Sequence, residues 1–279
     1  TEILKKITEV APNNPQGPFY TGIGYKAQEE YAKAQFYFEK ALQLEPGFAA
    51  ALEQLIHIFF LNNQPREAFQ RIMLQSNNAP NSSEIKFILG TFYKKANRLE
   101  KAKKALEKAL SINPEFTNAS LELSRIYVSE KQYPEALGVL EKALDQNPGD
   151  HDRQVLEMQK GIIFESKQDY QKAKQAYQKV ISINPSHAAA LNNLAYLHLD
   201  HFDDPETAYR FANQAHEALP DNQNISDTLG WASYKKGEYK KALKHLRKNA
   251  SVLSDIPDAL YHLGMAYYKT GDAEGAKMW

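Results

Sequence analysis

"DTLGWASYKKGEYKKAL" (Asp227 to Leu243) reads as an aromatic-rich helix, a Lys-Lys-Gly break and a second helix. "YHLGMAYYKTGDAEGA" (Tyr261 to Ala276) repeats it 34 residues later, with Gly230, Tyr234, Lys235, Gly237 and Ala242 answered by Gly264, Tyr268, Lys269, Gly271 and Ala276. A fixed offset that preserves glycine, aromatic and alanine together is the mark of an internal repeat.

Proline extends the register along the chain. Pro12, Pro46, Pro80, Pro114 and Pro148 stand 34 residues apart, and Pro185 and Pro220 follow at 37 and 35. Each closes a segment such as "KALQLEP", "KALSINP" or "KVISINP". Proline cannot continue a helix and disfavours helical geometry in the residue before it, so these positions predict helix ends. Pro65, Pro134 and Pro205 stand at the start of second helices, where a missing N–H costs little. No alternating strand pattern competes.

With the closing proline numbered 32 in each repeat, position 20 is alanine eight times: Ala34, Ala68, Ala102, Ala136, Ala173, Ala208, Ala242 and Ala276. Position 8 is glycine at Gly22, Gly90, Gly161, Gly230 and Gly264, and position 11 is aromatic at Tyr25, Phe59, Tyr93, Tyr127, Phe164 and Tyr267. Small residues at 8 and 20 let two helices approach, and large ones at 11 and 24 fill the space beside them. On these residues the chain resembles the tetratricopeptide repeat (TPR) family over essentially its whole length. The resemblance implies an all-α fold, an α-α superhelix with about seven full repeats and partial repeats at both ends. The repeats are 15–48, 49–82, 83–116, 117–150, 154–187, 188–222 and 223–256, with 257–279 a partial eighth and 1–14 the second helix of a preceding one. Repeat 2 departs most, with Ile56 and Gln75 at small-residue positions, and His151–Arg153 is an insertion. Ends that stop mid-repeat and lack polar caps predict a piece of a longer array, with Ile3, Leu4, Ile7 and Trp279 left either to fray or to pack on another molecule, self-association through these ends included.

Composition removes whole function classes. Lys+Arg and Asp+Glu are both 34, which argues against nucleic acid as the ligand. With 0 cysteines there is no disulfide, thiolate catalysis or cysteine zinc site, and bacterial envelope and cytoplasm fit equally. "LIHIFFL" (Leu55 to Leu61) is far too short to span a bilayer. "GIGYKA" (Gly22 to Ala27) has dinucleotide-loop spacing but falls mid-helix in the repeat register, without the strand that mechanism needs. "HLDHFDD" (His198 to Asp204) has residues for zinc or nickel, yet His198 holds position 11, a packing position, and the carboxylates suit the start of a second helix. No nucleophile elbow, His-Glu-x-x-His or P-loop occurs. The expectation is no cofactor, no metal and no catalysis.

The resemblance also implies that first helices line a concave groove, with positions 2, 5, 6, 9, 12 and 13 sharing its face. In the C-terminal half this selects Asn192, Asn193, Tyr196, Asp227, Trp231, Tyr234, Lys235, Tyr261, Met265 and Tyr268 as partner-binding residues. Trp231 stands at position 9, which the fold does not require to be large; it is either a partner anchor or packing against Tyr196 and Met265. Chaperone-type TPR domains carry lysine at position 5, which is absent here, and the asparagine ladder of the O-GlcNAc transferase array is reduced at position 6 to Asn193. Leu191 to Leu243 is similar to tandems in bacterial TPR proteins, including envelope lipoproteins and exopolysaccharide-export scaffolds. The reading is a non-catalytic scaffold that binds a peptide or protein in its groove, in a bacterial envelope assembly or export system. The alternatives are a cytosolic adaptor and the TPR region of a larger enzyme such as a glycosyltransferase.

Overall fold

A computed structural model of the chain describes residues 13–249 and 256–278. Nearly all of the helix expected over 1–14 lies outside them, as do Ile3, Leu4, Ile7 and Trp279. The described residues form sixteen helices and no strand. The chain divides into two compact units, Thr1–Asn147 and Pro148–Trp279. The first holds α1 (Gln16–Ala27), α2 (Tyr31–Leu44), α3 (Ala49–Leu61), α4 (Pro65–Asn78), α5 (Ser83–Lys95), α6 (Leu99–Ile112), α7 (Thr117–Ser129) and α8 (Tyr133–Asp145). The second holds α9 (Asp150–Ser166), α10 (Tyr170–Ile183), α11 (Ala188–Asp200), α12 (Pro205–Ala218), α13 (Gln223–Lys235), α14 (Tyr239–Asn249), α15 (Pro257–Thr270) and α16 (Ala273–Met278). Each odd helix packs on the even helix after it. Odd helices also meet one another, α3 with α5 and α5 with α7 in the first unit, α11 with α13 and α13 with α15 in the second. Each unit therefore presents a face built from first helices.

Helix α6 shows how sequence becomes element. In "LEKAKKALEKALSI" the buried residues are Ala102, Ala105, Leu106 and Ala109, one stripe at three- and four-residue steps with lysines and glutamates opposite. The helix stops at Asn113, whose extended backbone is what the following Pro114 demands. Ala34, Ala68, Ala102, Ala136, Ala173, Ala208 and Ala242 are all completely buried. A Cβ added to Gly90 would sit 2.8 Å from Leu106, and one added to Gly22 would sit 2.6 Å from Phe38. Gly161 faces Tyr177 and Gly230 faces Leu246 in the same way. The missing side chain at position 8 is the space that the large residue at position 24 occupies.

Between the helices of a pair the chain turns through one left-handed residue. Glu29, Asn63, Asn97, Lys131, Gln168 and Asp203 have φ between 48° and 60°, while Gly237 and Gly271 do the same at 82° and 85°. The next N–H reaches back across the turn, as from Gln132 to the Tyr127 carbonyl at 2.8 Å and from Asp272 to that of Tyr267 at 3.1 Å, closing the helix end.

Repeat 2 replaces an apolar contact with a polar one. Gln75 is buried, its amide donates to the Pro46 carbonyl, and Arg71 donates to its side-chain oxygen. Arg71 also grips Glu39 with two hydrogen bonds of 2.9 Å. The insertion His151–Arg153 is helical and belongs to α9, which at 17 residues is longer than its counterparts.

Two outcomes follow for stability. Gly90→Ala drives a Cβ into Leu106 and is expected to lose about 1–3 kcal/mol in chemical denaturation; a variant that unfolds with the parent protein would mean that Leu106 moves aside freely. Lys131→Gly relieves a left-handed lysine and is expected to gain about 0.5–1 kcal/mol, read from the same curves.

Candidate functional site

In the second unit α11, α13 and α15 stand side by side and carry the residues selected from the sequence. Trp231 is only 8% exposed. Tyr234 lies almost parallel to it at 4.7 Å, and His262 from α15 does so at 4.2 Å. Tyr261 meets its edge at 5.8 Å, and the Lys235 ammonium sits 5.1 Å from its ring centre. His262 is fixed in turn by Asp227, with Nδ1 2.9 Å from the carboxylate. Met265 packs on the same apolar cluster. Trp231 is thus a buried base. The rings facing solvent are Tyr196 (47% exposed), Tyr261 (56%) and Tyr268 (67%).

The α9 side of this face is polar. Tyr177 is fully buried against Gly161, yet its hydroxyl donates to the Glu165 carboxylate and takes a hydrogen bond from Asn193. Burial, with Glu165 beside it, pushes the Tyr177 phenol up, and burial also raises the Glu165 carboxyl against the pull of that hydrogen bond. The Tyr196 hydroxyl is bonded to Asp200, which together with burial pushes it up to about 12; Asp258 and Glu165 add to the effect. The Asn192 side-chain oxygen is enclosed and has no partner among the described residues. The sequence reading selected Asn193 and Tyr196 but missed Glu165, Tyr177 and Asp200. Glu165 and Asp200 stand at repeat positions 12 and 13, so the face rule itself pointed to them. Tyr177 stands at a packing position, and only its length brings its hydroxyl to Glu165.

In the first unit the corresponding face exposes Tyr20 and Phe60 and is laced by hydrogen bonds and ion pairs of its lysines and arginines. Lys26 donates to Gln54 at 2.6 Å, and Lys94 reaches Glu122 at 2.6 Å. Burial would raise Glu122, but hydrogen bonds from Lys94 and Arg125 outweigh it and hold the carboxyl below its ordinary range. Ile88 and Leu121 are buried.

The histidines of "HLDHFDD" serve packing. His198 is buried with its ring 5.3 Å from Phe202 and 5.8 Å from Phe211, and His201 stacks on Tyr170 at 3.5 Å. Asp204 caps α12 through the Thr207 N–H at 3.0 Å, with its other oxygen 3.3 Å from His198 Nδ1. Among the described residues no group of three or more metal-binding side chains converges. Gly22 lies inside α1, facing Phe38.

Known tetratricopeptide repeat models match residues 25–89, 93–157, 158–187, 176–210 and 258–278. The chain belongs to the tetratricopeptide repeat family. It is 28% identical over 162 residues to anaphase-promoting complex subunit 7 of Dictyostelium discoideum, covering 58% of this chain and 27% of that protein. It is also 28% identical over 173 residues to a TPR repeat-containing protein of Pseudomonas aeruginosa, covering 61% of this chain and 28% of the relative. The chain thus spans less than a third of either relative. The crystal structure of a tetratricopeptide repeat protein from Parabacteroides merdae superposes with a TM-score of 0.57 at 16% identity, over 90% of this TPR chain and 98% of the other.

Burial is the main cause holding the His198 imidazole below its ordinary 6.5, with Lys174 and Arg210 adding and Asp204 opposing. The unfolded chain therefore takes up this proton first as pH falls. The stability tied to neutral His198 is complete above the ordinary histidine range and is lost on acidification through it. His198→Phe, the residue found at the same repeat position in Phe59 and Phe164, is expected to reduce the drop in melting temperature between about pH 7.5 and about pH 5. An unchanged drop would assign the acid sensitivity to other groups.

Proposed function

We propose that this TPR chain is a non-catalytic interaction scaffold that binds a peptide or protein along the first-helix face of its second unit. One observation carries the reading: Tyr196 stands exposed on α11, and Tyr261 and Tyr268 on α15, the two helices that flank α13, while Trp231 and His262 back Tyr261 from below. Exposed aromatics on a rigid base give contact area at little entropic cost and are typical binding hot spots. Of the nearby carboxylates, Glu165 and Asp200 are engaged by Tyr177 and Tyr196, and Asp227 holds His262, whose ring is committed to stacking on Trp231, which supports recognition rather than chemistry.

For the setting we infer a bacterial envelope assembly or export system. The likeness of Leu191 to Leu243 to bacterial tandems and the Pseudomonas relative support it. The Dictyostelium relative, a subunit of a large complex, supports the scaffold role without favouring a compartment. The rival readings are a cytosolic adaptor and the TPR region of a larger enzyme such as a glycosyltransferase; the full-length gene separates them.

A photo-crosslinking amino acid placed at Tyr261 is expected to capture a partner that the same group at Phe36, exposed on α2, does not. Tyr196→Ala with Tyr261→Ala is expected to weaken that partner by about 2 kcal/mol or more without lowering the melting temperature. Equal capture at both sites, or unchanged affinity, would discard the groove.

A further inference from the structure

A second docking feature lies in the first unit, at the edge where the turn of one helix pair meets the next pair. The same notch recurs along the repeats. Its floor is position 21 on the second helix, its near wall positions 17 and 18, and its far wall position 14 of the next repeat.

Three of these notches are closed by the protein's own side chains. Between α6 and α7, Lys103 on the floor lies 2.6 Å from Glu100 and 2.8 Å from Glu130. Between α10 and α11, His201 from the far wall stacks on Tyr170 at 3.5 Å. Between α12 and α13, the Lys236 ammonium sits 4.3 Å over the floor residue Tyr209 and 2.6 Å from Glu206.

The notch between α4 and α5 differs on the floor, at position 18 of the near wall and on the far wall. Ala96 replaces Glu130, His201 or Lys236 on the far wall, and its methyl group is too short to cross to the floor. The floor is Phe69, lying nearly parallel to Phe92 with ring centres 5.3 Å apart. What remains is a cleft of about 200 Å³ lined by Pro65, Phe69, Phe92, Tyr93 and the two arginines Arg66 and Arg98. Arg66 stands where the closed notches carry Glu100 or Glu206, so the rim charge is reversed. Neither guanidinium is ion-paired among the described residues, and Phe60 is exposed with its ring centre 6.3 Å from that of Phe92. The Lys236 notch shows what this geometry accepts: one long side chain from the far wall, its end lying over the aromatic floor while a carboxylate on the rim pairs with it.

We propose that the α4–α5 notch takes one phenylalanine or leucine side chain from a partner's acidic peptide segment, whose carboxylates pair with Arg66 and Arg98. The apolar floor supplies burial for the anchor, and the unpaired guanidinium groups supply charge complementarity and fork geometry for the flanking carboxylates.

The test uses the intact chain and a fluorescent peptide with one phenylalanine flanked by two aspartates on each side, titrated by fluorescence anisotropy. Binding is expected to weaken by at least about tenfold when the phenylalanine is replaced by alanine or the aspartates by lysines. Ala96→Lys with Arg66→Glu rebuilds the Lys236–Glu206 closure and is expected to cause the same loss with an unchanged helical signal and melting temperature. Arg66→Glu with Arg98→Glu, two surface changes, is expected to reverse the preference towards the lysine-flanked peptide, and it decides the matter should the closed variant fold poorly. Tyr196→Ala with Tyr261→Ala is expected to leave this peptide's binding unchanged, which separates the notch from the groove. No binding, binding indifferent to the phenylalanine, or binding that survives both notch variants would overturn the proposal.

Discussion

Everything in each unit depends on how closely the two helices of a pair approach. The distance is set where position 8 of the first helix meets position 24 of the second. Gly22 against Phe38, Gly90 against Leu106, Gly161 against Tyr177 and Gly230 against Leu246 are four versions of one contact, each too close for a methyl group. The buried alanines at position 20 keep the backbones near each other, and the large residue at position 24 fills what the glycine leaves. Tight packing of this kind tolerates little added volume and gives each pair a defined crossing. A defined crossing is what brings the first helices of successive pairs into contact, and hence what makes a face on which side chains from three helices can act together.

The aromatic band follows from that face. Trp231 lies on α13, but its environment is written by α15, through His262 stacking on its ring and Asp227 reaching across to His262. Tyr177 is rooted in the pair α9–α10 and completed by Asn193 of α11. Neither arrangement exists inside a single pair. Truncating the array would remove surface chemistry from the pair that remained, even where that pair stayed helical.

This also explains which parts were legible in advance. The helix breaks and the glycine and alanine contacts are local or strictly periodic, so the prolines and Gly230, Ala242 and their counterparts announced them. The exposure of Tyr196, Tyr261 and Tyr268 followed from helical spacing. The burial of Trp231 did not, because position 9 is buried only when the next repeat supplies a ring such as His262 at the right height. The left-handed turn was hidden because Glu29, Asn63 and Lys131 occupy it where Gly237 and Gly271 would have signalled it. The open α4–α5 notch could be recognised only by comparison with its closed equivalents, since Ala96 alone says nothing. In repeat 2, Gln75 looked like a weakness of the pattern; in three dimensions it is a satisfied polar group.

That glutamine bears on how such an array can change over evolutionary time. Contacts made of glycine, alanine and leucine are nearly interchangeable, so repeats joined by them can be duplicated, deleted or shuffled by recombination and still find an acceptable neighbour. The junction between the first two repeats is different. Gln75 needs the Pro46 carbonyl, and Arg71 needs both Gln75 and Glu39. Inserting a copied repeat there would strand a buried amide and a half-buried guanidinium, each costing more to leave unpaired than the pairing contributes. The repeats around it are free to be copied as words are, while this pair is inherited as a phrase.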